Sequence, residues 1–246
     1  MDPLLLLLKS LNIEHPSFPP TLLFNEGWLL RIIVDWFSRN PVDDPVLGFS
    51  PESTWFSEAL LPTPFKALFK GDLHAEARTH ADGVIGYILV GEQGKVDLSL
   101  APKASQLVVL EAKIGSPLAA GIKAAPTYDQ AARTVACMAE VLRLANRPAA
   151  RMSNLGYYVL APKEKIEAGM FEEALDHPGI LGKVEARAAG NEDKMKDWLS
   201  DRFAPLMDSI RIGALSWEVI IQRIADQDRG SAEAIAYFYE RCLKFS

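Results

Sequence analysis

An α/β fold is the prediction for this chain, and three observations make it. The length of 246 residues with 49% hydrophobic content suits one large globular domain. The apolar pattern has helical period near the start, turns to strand period in the middle, and returns to helical period later. A strand, a helix and a second strand follow one another between Gln106 and Leu160, which is the signature of a parallel crossover.

The elements follow in order. A helix is expected from Thr21 to Phe37, because Trp28/Leu29, Ile32/Ile33 and Trp36/Phe37 recur at four-residue spacing. Asn40 to Pro64 contains Pro41, Pro45, Pro51, Pro62 and Pro64, so an irregular loop is expected there, with one short helix over Trp55 to Leu60. Val84 to Val90 is a continuous apolar run and reads as a strand, closed by the turn Gly91-Glu92-Gln93-Gly94. Lys95 to Leu100 alternates polar and apolar residues, Pro102 to Ser105 turns again, and Gln106 to Ile114 is a third strand. Such tight turns predict an antiparallel three-strand meander. A helix from Thr127 to Ala145 then leads to a fourth strand, Leu155 to Leu160, parallel to the third. Helices are expected over Lys163 to Leu175, Asp193 to Phe203, Pro205 to Arg211, Trp217 to Asp226 and Ser231 to Leu243. The expected organisation is a core with N-terminal helices over residues 1–162 and a helical C-terminal cap over residues 163–246.

Composition narrows the setting. The Leu4 to Leu8 run lacks the positive flank of a signal peptide, and Asp2-Pro3 reads as the start of a short helix. No apolar run approaches the ~18 residues that span a bilayer, so no membrane partner is expected. Cys137 and Cys242 fall in predicted helices and are expected to stay unpaired in a reducing, cytoplasmic setting. The net charge is −6, yet Leu61 to Leu160 carries 11 Lys/Arg against 8 Asp/Glu, a local excess of +3. That excess is compatible with a nucleic-acid groove in the middle of the chain.

The chemistry concentrates on the predicted central strands. Side chains alternate along a strand, so Lys95, Asp97 and Ser99 share one face, as do Val109, Glu111 and Lys113 on the next. Antiparallel pairing would set Asp97 beside Glu111 and Lys113 within an otherwise apolar sheet. Buried charges must be paired or bind a metal. Two carboxylates, with the main-chain carbonyl of Ala112 between Glu111 and Lys113, would make an oxygen site for Mg²⁺ or its substitute Mn²⁺. Lys113 would orient an attacking water.

With these residues and this element order, the chain resembles the PD-(D/E)XK nuclease superfamily, whose fold is restriction-endonuclease-like. The family pattern is an Asp on the second core strand and Glu/Asp-x-Lys on the third, here Asp97 and Glu111-Ala112-Lys113. Val96 stands before Asp97 where the pattern often has proline. The resemblance covers Thr21 to Pro162 and implies a core of helix, three-strand meander, helix and parallel fourth strand. It also implies an acid on the first helix, which Glu26 matches, and a Gln on the helix after the third strand, which Gln130 matches. Glu26 aligns with the inward face of its helix, whereas Gln130 also reads as one half of a Thr127-x-x-Gln130 capping box. Thr79 to Gly83 reads as a turn because of Asp82-Gly83, with His80 at its rim.

The expected function is Mg²⁺-dependent hydrolysis of DNA phosphodiester bonds. Asp97, Glu111, Ala112 and Glu26 are the expected metal ligands, and Lys113 and Gln130 complete the catalytic set. A homodimer is an arrangement open to such an enzyme. The competing expectation is a non-catalytic nucleic-acid-binding or scaffold protein that keeps the fold and uses the acids for structure.

Overall fold

The computed structural model describes residues 18–66, 70, 75–76, 79–91, 98–121, 125–189 and 192–246. The short helix expected after Asp2-Pro3 and the turn over residues 92–94 lie outside the described residues, as does Asp97.

Helix α1 (Glu26–Arg39) is capped by Asn25, whose side chain accepts a hydrogen bond from the Trp28 amide at 3.1 Å. It buries Leu29, Leu30, Ile33, Val34, Trp36 and Phe37 and ends just before Pro41, which disfavours helix in the residue that precedes it. The strands are β1 (Thr54–Leu61), β2 (Thr79–Gly86), β3 (Ile88–Val90), β4 (Leu98–Leu100), β5 (Gln106–Ala112), β6 (Asn154–Ala161) and β7 (Arg211–Ser216). Five of them form one mixed sheet in the order β1-β2-β5-β6-β7, while β3 and β4 pair only with each other. The pairs β1/β2 and β2/β5 are antiparallel, and β6 and β7 run parallel to β5.

This topology keeps the antiparallel trio but assigns it to different strands. The segment around Trp55 to Leu60, expected as a short helix in a loop, is the edge strand β1. Its pairing with β2 supplies hydrogen bonds that local sequence does not advertise, and Pro62 after Leu61 disfavours helix there. The expected neighbour of the third strand, residues 95–100, instead appears in its described part as β4, paired with β3. The Asp82-Gly83 turn is absent as well: both residues lie inside β2. Gly83 packs closely there, since an added Cβ would stand 3.0 Å from Leu30 Cδ2 of α1 and that side chain would have to shift.

Helix α2 (Gln130–Leu144) crosses from β5 to β6 as expected, capped by Asp129 rather than Thr127. The C-terminal region carries α3 (Lys163–Glu167), α4 (Glu172–Leu175), α5 (His177–Ala188), α6 (Glu192–Trp198), α7 (Ala204–Met207), α8 (Trp217–Ala225) and α9 (Arg229–Phe245). Helix α5 was not expected, although Asp176 as cap with Pro178 in the first turn is a legible start signal. Nor is this region wholly helical, because β7 adds the fifth strand to the main sheet. Gly213 in its centre weakens helix, and the open edge of β6 provides the partner.

The sheet separates two apolar layers. One packs α2 and α5 against Leu107, Val109, Tyr157 and Val159, and the other packs α1, α8 and α9 against Val108, Leu110 and Leu160. As the central strand, β5 is buried along its whole length. Cys137 on α2 and Cys242 on α9 are free and buried. Among the described residues no helix is long and apolar enough to cross a membrane.

Candidate active site

The site begins where two strands part. Pairing between β2 and β5 runs from Gly86↔Leu107 to Gly83↔Leu110 and stops. Pairing between β1 and β2 continues to Leu61↔Thr79, so beyond Gly83 strand β2 follows β1 away from β5. The Ala112 amide, which a continued ladder would have used, donates instead to Asp82 Oδ2 at 2.8 Å. Across β1 the left-handed backbone of Glu58 (φ 57°) interrupts the ladder opposite Asp82, and its carboxylate pairs with Arg31 at 3.0 Å. A carboxylate thus stands at the mouth of the wedge between the core strands.

Glu111 stands on the other side of that wedge. It is only 2% exposed, because the central strand and α2 enclose it. Lys113 Nζ reaches Glu111 Oε1 at 2.8 Å, and Gln130 Nε2 donates to the same oxygen. With both carboxyl groups ionised, the buried Glu111 Oε2 has no hydrogen-bond donor among the described residues. Burial pushes the Glu111 carboxyl up to about 7. The Asp82 charge and a hydrogen bond between the two carboxyl groups contribute to that rise, while Lys113 partly opposes it. Two carboxylates this close retain a proton near neutral pH unless a cation replaces it.

The flanking groups are held firmly. Gln130 is the first residue of α2; its amide oxygen accepts from the Ala119 amide at 2.9 Å while its nitrogen holds Glu111. Its own main-chain amide donates to Ala119 O at 2.9 Å, so one residue fixes both the loop and the acid. The Lys113 amide donates to Leu160 O at 2.8 Å, and its carbonyl accepts from Trp217 Nε1 of α8 at 2.9 Å. The Lys113 side chain is 14% exposed, so its ammonium faces Glu111 with little solvent around it.

The structure therefore brings together Glu111, Lys113 and Gln130 and adds Asp82, which sequence reasoning read as a turn. The missed signal was an acid two residues before the apolar run that starts at Val84, the register that meets Glu111 when β2 pairs with β5. Glu26, at the first position of α1, makes no hydrogen bond or ion pair with this group among the described residues; its charge acts on Cys242 of α9. Ala112 offers its amide to Asp82, as above. Asp97 lies outside the described residues, and β4, which follows it directly, pairs with β3 rather than β5.

A divalent cation suits this donor set. Among the described residues no three His, Cys, Asp or Glu side chains converge, so the chain offers a pair of carboxylates rather than a full cage. Mg²⁺ is commonly held that way, by one or two carboxylates with waters completing the octahedron. The orphaned Oε2 of Glu111 and the proton-sharing pair fit that chemistry. No protein-family model, curated protein or solved structure matches this chain.

Proposed function

We propose that the chain is a divalent-metal-dependent nuclease acting on DNA, with Asp82, Glu111 and Lys113 as its catalytic centre. One observation carries the reading: two carboxylates and an ammonium meet where β2 and β5 separate, and one buried carboxylate oxygen has no donor among the described residues. The element order α1, β1, β2, β5, α2, β6 supports a restriction-endonuclease-like core, with β3 and β4 as an inserted hairpin. In that core Asp82 takes the second-strand position at first expected of Asp97, and Glu111-Ala112-Lys113 keeps the third.

Asp82 and Glu111 would hold Mg²⁺ or Mn²⁺, with the Ala112 carbonyl as a third oxygen. The ion supplies a Lewis acid for the phosphate and lowers the pKa of a nearby water. Lys113 orients that water and balances the negative charge that grows on phosphorus-bound oxygens. Gln130 keeps the Glu111 carboxylate at a fixed angle to both. The local positive excess between Leu61 and Leu160 supports a nucleic-acid substrate.

The test pairs calorimetric Mn²⁺ binding with cleavage of supercoiled plasmid for wild type, Asp82→Asn and Asp97→Asn. The proposal expects Asp82→Asn to lose both and Asp97→Asn to lose neither. Loss confined to Asp97→Asn would move the site to the inserted hairpin. A folded wild type that binds no Mn²⁺ would favour the scaffold reading.

A further inference from the structure

Helix α5 carries two cations one turn apart, Lys183 and Arg187, and each reaches a different side of the wedge. Lys183 Nζ donates to Asp129 Oδ2 at 2.8 Å and, less closely, to Glu173 O at 3.3 Å. Asp129 is the cap of α2, its Oδ1 accepting from the Ala132 amide at 3.0 Å. It stands directly before Gln130, whose side chain holds Glu111. Arg187 Nε donates to Glu76 Oε1 at 3.1 Å. Glu76 lies three residues before Thr79, where β2 begins and leads to Asp82. Its amide donates to Phe65 O at 2.8 Å and its Oε2 accepts from the Thr63 hydroxyl at 3.1 Å, which ties together the two ends of the β1–β2 connection. The Arg187 guanidinium also lies over the rings of Phe65, at 4.8 Å, and of Tyr128, at 5.9 Å. Tyr128 directly precedes Asp129.

Both pairs are withdrawn from water: the side chains of Lys183 and Asp129 are 18% and 16% exposed, those of Arg187 and Glu76 8% and 7%. Such ion pairs lose in hydration about what they gain in attraction, so apolar side chains of similar size would hold the same surfaces together as well. What the pairs add is direction, because a charge-assisted hydrogen bond fixes both of its partners in place. We infer that Lys183 and Arg187 are positioning residues, through which α5 sets the separation of Asp82 and Glu111 across the wedge. Lys183 acts through Asp129 and the first turn of α2, and Arg187 through Glu76 and the entry to β2. The ladder between β2 and β5 stops at Gly83↔Leu110, so beyond that point main-chain pairing no longer spaces the two strands. A single helix that grips both sides supplies the missing reference. The Gln130 amide and the Asp82–Ala112 contact then place the carboxylates within that frame.

The grip on Gln130 stands on the fold alone, whereas its consequence for a cation rests on the nuclease reading. Two measurements keep them apart. The first is a thermal double-mutant cycle in metal-free buffer with Lys183→Met, Gln130→Ala and their combination. Groups in one hydrogen-bond network are non-additive, so Lys183→Met should lower Tm less in the Gln130→Ala background than in wild type. Equal losses would overturn the inference. The second is Mn²⁺ calorimetry, in which Lys183→Met should bind about 10-fold more weakly than wild type and Lys183→Arg should bind like wild type. For the other arm, Arg187→Met is combined with Glu76→Gln, so that no buried charge is left unpaired and the chain stays folded. That double variant should also bind Mn²⁺ about 10-fold more weakly. Ile180→Val, a core truncation on the same helix, should lower Tm and leave Mn²⁺ affinity unchanged. Wild-type affinity in either Lys183→Met or the double variant would overturn the positioning role, as would an equal loss in Ile180→Val. A wild type that binds no Mn²⁺ would defeat the nuclease reading, and the thermal cycle would still decide whether α5 fixes Gln130.

Discussion

Strand β5 is buried from end to end, yet its two polar residues live under opposite regimes. Gln106, at the start, is fully buried and fully satisfied: Oε1 accepts from the Ser50 amide at 2.8 Å, and Nε2 donates to Gly48 O at 2.7 Å. Glu111, at the end, has one oxygen crowded by two donors and the other with no donor among the described residues. Other buried acids resemble Gln106 in this respect. Asp44 caps the Val46 and Leu47 amides and pairs with Arg223 at 2.7 Å, and Glu140 holds Arg143 through both oxygens. Gln106, Asp44 and Glu140 are closed, and Glu111 is open. An open buried carboxylate beside a second acid lowers stability unless something else requires it, which is why that end of the strand carries the functional reading.

The largest effect expected from breaking this contrast is on catalysis. Lys113→Met should lower plasmid cleavage by roughly 10³-fold or more while Mn²⁺ binding survives, since in the proposed nuclease the ammonium would act on the water and the acids would hold the ion. Calorimetry and a cleavage assay run side by side check both halves. Lost Mn²⁺ binding in a folded Lys113→Met variant would make the lysine a structural partner of Glu111.

Stability against pH sharpens the same contrast. The Glu111 pKa is raised from 4.5 to about 7 in the folded chain, so between those values the folded state holds a proton that the unfolded state releases. Stability in metal-free buffer should therefore be greatest at the acid end of that window and fall as pH rises through it, by roughly 3 kcal/mol at most. Glu111→Gln should flatten that slope in a denaturant series from pH 5 to 8. An unchanged slope would mean that another group controls it.

At the closed end the expected effect is purely structural. Gln106→Ala leaves the Ser50 amide and the Gly48 carbonyl without their side-chain partners and should cost about 1–3 kcal/mol. Its Mn²⁺ affinity should equal that of wild type; a fall would show that the two ends of β5 are coupled. The smallest effect is expected at Glu26, which makes no hydrogen bond or ion pair with the group among the described residues: Glu26→Gln should change Mn²⁺ affinity less than 2-fold, within the range of an ordinary surface substitution. A larger loss would place an acid of α1 at the site.

Much of the site was legible because it lies on strongly patterned segments. Val108-Val109-Leu110 before Glu111-Ala112-Lys113 declares a buried strand whatever surrounds it. Gln130 was found through its place at the start of the crossover helix, although its predicted capping partner was wrong by two residues. Asp82 was not found, because Asp-Gly is a stronger local turn signal than a strand signal. Only the pairing of β2 with β1 on one side and β5 on the other keeps it extended.

Determined by sequence alone were the α/β class, the helices whose apolar spacing repeats every turn, the parallel crossover from β5 to β6, and the Glu111–Lys113 pair. Each follows from interactions within a few residues or from the handedness of a short connection. Left to the tertiary structure was which strands meet. A hairpin could equally have formed the sheet or, as it does, stood outside it, while β1 and β7 became strands because open sheet edges offered them partners. Strand choice is a long-range competition for backbone hydrogen bonds and buried faces, and no local window contains both competitors. The carboxylate that meets Glu111 among the described residues, Asp82, is a product of that competition.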